Sequence, residues 1–325
     1  MKTDLIYGVE DRPPFKDAIF AALQHLLAIF VAIITPPLII AGALKLDVEK
    51  TSFLVSMSLF VSGISTFIQC KRFGPVGARL LCIQGTSFSF IGPIITTGLM
   101  GGLPLIFGVC MAAAPVEMVI SRTFRYMRNI ITPLVSGIVV LLIGLSLIKV
   151  GVVSCGGGYG AMDNGTFGSW ENLSIAGLVL LSVLFFNRSK NKYLRMSSIV
   201  LGICLGYGLA FALGKVDMSS LNLNLLTSFN IPMPFKYGLD FNISSFIAIG
   251  LVYLITAIEA TGDVTANSMI SGLDIEGEGY VKRVSGGVLA DGFNSFLAGV
   301  FNSFPNSIFA QNNGIIQLTG VASRF

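Results

Sequence analysis

Phe301-Asn-Ser-Phe-Pro305-Asn-Ser-Ile-Phe-Ala-Gln311-Asn312-Asn313-Gly314-Ile-Ile-Gln317-Leu-Thr319-Gly320 decides how the rest of the chain is read. The stretch lies inside Gly292–Ser323, 32 residues without a formal charge, so its surroundings are membrane-like. Yet Pro305 and the run Gln311, Asn312 and Asn313 sit in its middle. Side-chain amides in hydrocarbon are costly without partners. They are tolerated where the backbone is broken and faces a cavity. Broken spans of this kind build the binding sites of secondary transporters. The alternative is a polar cluster that hydrogen-bonds helices together. Three consecutive amides followed by Gly, after a Pro, favour the ligand site.

Working outward, the composition agrees with a membrane setting. The 325 residues are 53% hydrophobic and 12% charged, against about 25% charged in soluble domains. Mean hydropathy is +0.80. The class is a polytopic membrane protein. The net charge of +4 is better read through loop position than as a nucleic-acid signal. Cys70, Cys82, Cys110, Cys155 and Cys204 are scattered without metal-ligand spacing and read as small packing residues. No cleavage site follows the first apolar run, so that run reads as a retained span.

Apolar runs mark the spans. Ala18–Leu44 and Thr51–Cys70 are the first two. Leu80–Val116 is uncharged for 37 residues, and Gly92-Pro93 and Gly98 to Pro104 cut it. It therefore reads as two spans, 77–95 and 102–121. The first of these holds Gln84-Gly85-Thr86-Ser87-Phe88-Ser89-Phe90, a second broken element. Asn129–Ile148, Leu173–Phe186 and Met196–Gly214 are spans five to seven. Phe241–Ile258 runs straight into Glu259, so the eighth span continues past it. Asp291 interrupts the ninth apolar run, and the opening stretch is the tenth. Cys155–Gly160 is Gly-rich without strand–helix context and reads as a flexible turn.

Loop charges orient these spans. Lys71, Arg72 and Arg79, then Arg122, Arg125 and Arg128, then Arg188, Lys190, Lys192 and Arg195, then Lys282 and Arg283 fall on alternate connections. The other connections carry Lys45, Lys50, Lys149, Lys215 and Lys236. An excess of positive charge marks the cytoplasmic side, so the N-terminus is expected there.

Few residues can carry chemistry. Glu259 and Asp263, four apart, share one helix face. Burial makes ionisation costly, so such a group can exchange a proton as its surroundings change. A water-exposed helix end is the alternative. Asp291 is read in the same way. His25, the only histidine, is either an interhelical hydrogen-bonder or a proton carrier. Phe88 could stack on a planar ring or simply pack. No metal-ligand cluster or nucleophile–base spacing appears, which argues against a membrane enzyme. A channel would repeat one polar ring by symmetry. Here the polar groups occupy non-equivalent spans, which suits one pocket per protomer.

Taken together these motifs resemble a family. Gln311-Asn312-Asn313-Gly314-Ile-Ile-Gln317-Leu-Thr319-Gly320 resembles the signature of the nucleobase–ascorbate transporters, Gln/Glu-Asn-x-Gly-x-x-x-x-Thr followed by Arg, Lys or Gly. Tyr7-Gly-Val-Glu-Asp-Arg-Pro13-Pro14, Gln24-His25, Glu259-Ala-Thr-Gly-Asp263 and Leu289-Ala-Asp291-Gly are similar to that family too. The match is nearest to bacterial xanthine permeases and covers the whole chain.

The resemblance implies an all-α fold of two inverted seven-span repeats, with core and gate domains. It assigns 1–121 to core spans one to four, 122–240 to gate spans five to seven, and 241–325 to core spans eight to ten. The third and tenth spans would begin as short extended segments, with a purine bound between them. Glu259, Gln311, Asn312, Ser87 and Phe88 would contact or line the substrate. Asp263, Asp291 and His25 would serve proton coupling or site geometry. The implied activity is proton-coupled symport of a purine base, xanthine above all, across the bacterial inner membrane. The proton is the coupling ion, and no other cofactor and no metal is expected. The lipid bilayer and a homodimer partner fit the family, and nucleic acid does not. Some xanthine carriers have Asn where Ser87 aligns, which keeps urate open, with uracil as a further variant. About ten of fourteen family spans are counted, so the resemblance implies a C-terminally truncated chain, and a non-transporting fragment stands as an alternative to the symport reading.

Overall fold

The computed structural model describes residues 5–127, 151–191, 198–216 and 230–325, with single positions at 138, 141, 145, 148, 149 and 194. Most of the expected fifth span, the start of the seventh, and Arg128, Lys192 and Arg195 lie outside them. The chain divides into two compact units, residues 1–144 with 232–325, and residues 145–231.

The first unit begins with α1 (Phe15–Ala43) and α2 (Val48–Lys71), antiparallel neighbours on a short turn. Asp47 caps α2 by accepting from Lys50 N at 2.8 Å, satisfying one of its free N–H groups. The chain then becomes extended, as the run of small polar residues led us to expect. β1 (Gln84–Thr86) is followed by a 3-10 turn at Phe88–Phe90 and by α3 (Ile91–Met127). α3 is broken at Gly101–Gly102, where Gly102 has φ +68° and ψ −162°. Only glycine occupies that region readily. Pro104 follows near the start of the next helical stretch, where its missing N–H costs nothing. The first expected span is therefore mostly the extended segment with only the first turn of α3, and the second is the part of α3 beyond the break.

α7 (Ile243–Ile270) runs unbroken through Glu259, as the eighth apolar run implied. α8 (Gly277–Val300) also runs through Asp291, which interrupts the apolar run but not the helix. β2 (Asn306–Ile308) and α9 (Gln311–Thr319) form the second broken element. The core joins Ile40, Leu54, Phe90, Phe107, Tyr253 and Phe304. α8 packs chiefly on α3. Gly292 and Gly299 face Met118 and Met111 there, small residues that let the two backbones approach.

In the second unit, α4 (Gly158–Asp163) replaces part of the flexible turn expected at Cys155–Gly160. Gly157, at φ +110°, opens this short helix, and Asn172 ties the loop by donating to the carbonyls of Gly156 and Thr166. The turn is confined to Gly156–Gly157, because the left-handed Gly157 lets a helix start at the next residue. α5 (Trp170–Asn187) and α6 (Ser198–Ala212) pack on each other through Gly202 and Gly206, which meet Val183 and Val179. Among the described residues, five helices are long and apolar enough to cross a membrane. They are α1, α2, the 88–123 segment, α5 and α7.

Candidate functional site

Two extended segments more than 200 residues apart in sequence meet inside the first unit. β1 and β2 pair antiparallel, with Gln84 opposite Ile308, Gly85 opposite Ser307 and Thr86 opposite Asn306. Ser87 N donates to the Pro305 carbonyl and Phe309 N to the Ile83 carbonyl, each at 2.9 Å. The pairing satisfies backbone groups that a broken span would otherwise leave bare in hydrocarbon. A glycine is required where the strands are tightest: a Cβ on Gly85 would lie 2.6 Å from the Phe309 ring and 2.7 Å from Ile33. Each strand leads into a helical segment, and no side chain caps the 3-10 turn or α9. The positive ends of these elements therefore lie beside the crossing.

α7 packs against the 3-10 turn, β2 and α9. Its Glu259 is half-buried, and Ser89 Oγ donates to Glu259 Oε2 at 3.3 Å. The other carboxylate oxygen has no protein partner among the described residues. Asp263 sits one turn further along α7, also half-buried. Ser87 is buried and Phe88 half-buried, both immediately after β1. Gln311 opens α9 with its side chain exposed and without a hydrogen-bond partner among the described residues. Asn312 is buried, and its Nδ2 donates to His25 Nδ1 at 2.9 Å. His25 thus ties α1 to α9, the interhelical role weighed for it above.

Behind the strands lies a polar network. Gln84 Nε2 donates to Asp291 Oδ1 at 2.5 Å, and Asn294 Nδ2 donates to Gln84 Oε1 at 2.7 Å. The Gln84 backbone N–H donates to Thr66 Oγ1 at 3.0 Å, and its carbonyl accepts from the Ser62 hydroxyl. Asn306 Nδ2 donates to Ser65 Oγ at 2.8 Å. Asn267 Nδ2 donates to Asn313 Oδ1 at 3.0 Å and to the Leu81 carbonyl at 2.9 Å. Asp291 is wholly buried in this network. A cavity of about 330 Å³ lies on the α1–α2 side and includes His25, Ser62, Thr66 and Ile83. Its lining is mostly apolar and lacks Glu259 and Gln311, so it does not supply the paired polar groups a nucleobase edge needs.

The structure brings Ser87, Phe88, Glu259, Gln311 and Asn312 to the two broken elements and the helix beside them. It places Asp291 behind the strands. Reasoning from sequence gave no role to Ser89, Gln84, Asn294 or Glu117. Ser89 and Gln84 lay in the run already recognised as broken. Glu117 lies inside the expected fourth span, where the sequence alone gave it no role.

Residues 16–325 match a family model described as "Permease family". The xanthine permease XanP of Escherichia coli is 50% identical over 99% of this chain and 72% of its own length. XanQ, a xanthine permease of the same organism, is 48% identical over 99% of this chain and 71% of its own. The uric acid permease PucJ of Bacillus subtilis is 34% identical over 93% of this chain and 67% of its own. With these matches and its apolar helices, the chain is a multi-pass membrane protein that belongs to the permease family of nucleobase–ascorbate transporters.

Proposed function

We propose that the chain carries a purine base, xanthine first, across the bacterial inner membrane by proton-coupled symport. The observation that carries this reading is the pair of open polar groups at the strand crossing. Glu259 is held by Ser89, and among the described residues its other oxygen and the exposed Gln311 side chain have no hydrogen-bond partner. A purine dione presents alternating N–H donors and carbonyl acceptors in one plane. A carboxylate accepts from ring N–H groups, while an amide both donates and accepts. Two relatives named xanthine permeases at 48–50% identity support xanthine over urate, whose named carrier is 34% identical.

On this reading Glu259 and Gln311 contact opposite edges of the base, and Ser87 and Phe88 line it. Asn312, locked by His25, shapes the floor. Asp263 and Asp291 serve proton coupling or site geometry. Spans one to four and eight to ten form the core and spans five to seven belong to the gate, in inverted seven-span repeats with the N-terminus cytoplasmic. A homodimer fits the same scheme. The test is accumulation of labelled xanthine against its gradient in proteoliposomes. Accumulation abolished by a protonophore supports the reading. Equilibration without accumulation, insensitive to the protonophore, would point to a channel.

A further inference from the structure

The transport reading leaves one wholly buried carboxyl without a task. Glu117 lies on the second half of α3 and is 0% exposed, as is Asp291 on α8. The helices cross closely here: a Cβ on Gly292 would lie 3.1 Å from Met118 N and 3.2 Å from the Ala114 carbonyl oxygen. That approach brings the Glu117 and Asp291 carboxyls within hydrogen-bonding reach of each other. Asp291 Oδ1 is taken by Gln84. Asp291 Oδ2 and both oxygens of Glu117 receive no donor from the described residues.

The groups around the pair do not neutralise it. α7 contributes Glu259 and Asp263, both acidic. Tyr253 on the same helix donates to the Cys110 carbonyl at 3.1 Å. Thr256 lies beside Glu117, but its hydroxyl donates to the Tyr253 carbonyl at 3.3 Å. Cys82, before β1, is wholly buried and contributes only a thiol. Asn294 on α8 spends its Nδ2 on Gln84 Oε1 and the Ser65 carbonyl. Among the described residues, no lysine or arginine acts on either carboxyl. A carboxylate only accepts, so two facing carboxylates form a hydrogen bond only if one holds a proton. Without one, two buried like charges would stand unpaired, at high cost.

We infer that Glu117 and Asp291 share one proton, and that Glu117 is a positioning residue for the first broken segment. The protonated partner holds Asp291, Asp291 holds the Gln84 amide, and Gln84 sets β1 against β2. Asn294 closes the chain from the far side. The consequence for transport rests on the symport reading, whereas the shared proton does not.

Infrared spectroscopy of the purified full chain in lipid tests the pair directly. A protonated-carboxyl C=O band that persists across about pH 5–8, the range where only histidine ordinarily titrates, is expected. It should disappear in Glu117→Gln. The glutamine amide still donates to Asp291, so this variant should keep xanthine uptake and its pH profile within about threefold of native. Glu117→Leu fills similar space without a donor and should lose uptake by about tenfold or more, equivalent to one hydrogen-bonded step in affinity. Absence of the band, its survival in Glu117→Gln, or equal uptake and pH profile in the glutamine and leucine variants would overturn the inference. A native chain that accumulates no xanthine would count against the symport reading, and the infrared band would still decide the pair.

Discussion

Gln84 opens the strand of one broken element and Gln311 opens the helix of the other, yet the structure uses them in opposite ways. Gln84 is 0% exposed, with its amide nitrogen on Asp291 and its amide oxygen on Asn294. Gln311 is exposed and has no hydrogen-bond partner among the described residues. The first glutamine is framework and the second is available to a ligand. Two residues of one type, each beside a broken helix, are distinguished only by what lies around them. A transport site needs both kinds, because an amide that recognises a ligand must be held by a segment whose own polar groups are satisfied.

The comparison breaks most visibly at Gln84. Gln84→Ala leaves Asp291 Oδ1 without a donor and removes one acceptor of Asn294. Each stranded buried group costs about 1–3 kcal/mol. The variant should lose about 2–5 kcal/mol of stability by those terms, read as a lower melting temperature in detergent. Whatever protein survives should show an unaltered pattern of inhibition by ring-substituted xanthines. A changed pattern with native stability would make Gln84 a contact residue and erase the distinction.

Glu259→Gln comes next. It removes the charge from a hydrogen bond worth about 1.5–3 kcal/mol when one partner is ionised. Xanthine uptake should fall about 10- to 100-fold while the protein still reaches the membrane. Near-native uptake would remove Glu259 from the site.

Gln311→Ala should give a smaller and more selective effect. Losing neutral hydrogen bonds worth about 0.5–1.5 kcal/mol each should weaken xanthine binding by more than it lowers stability, and it should alter the ring-substituent profile. An unchanged profile would place Gln311 outside the pocket.

The smallest effect concerns the clamp between the chain's first described segment and its last. Arg324 Nη2 pairs with Glu10 at 2.7 Å, and Arg79 Nε does so at 3.1 Å. Tyr7 pairs with Val321 beside them. The hydrogen bond from Arg324, then that from Arg79, holds the Glu10 carboxyl below its usual range. The clamp therefore contributes fully above the ordinary glutamate value and fades as pH falls through the lower, folded one. Glu10 is largely exposed, so the loss should not exceed about 1 kcal/mol. Thermal melts of native and Glu10→Gln protein across acid pH should converge at low pH. A gap that widens there would contradict the assignment.

Much of the architecture was readable from residue order. The run Gln84 to Phe90 and the run around Pro305 both announced broken spans, and both are extended segments leading into helices. The eighth apolar run announced a helix through Glu259, and α7 is that helix. Other features were not readable. The glycines at 155–160 signalled a turn, which Gly156–Gly157 form, but not the helix α4 that follows at once. Glu117 drew no reading from the sequence and is fully buried. Asn312 looked like its neighbour Gln311, yet it is turned inward onto His25.

What the sequence determined by itself is the membrane character, the positions of the breaks and the family signature. Hydropathy, proline and glycine act on the backbone within a few residues of where they stand, so order alone reveals them. Tertiary structure alone decided that Gln84 and Ile308 are opposite, that Asp291 meets Glu117, and which of three consecutive amides stays open. Those outcomes depend on distances between segments far apart in the chain. A polar group in hydrocarbon takes whichever partner the packing brings within reach, and residue order carries no record of that reach.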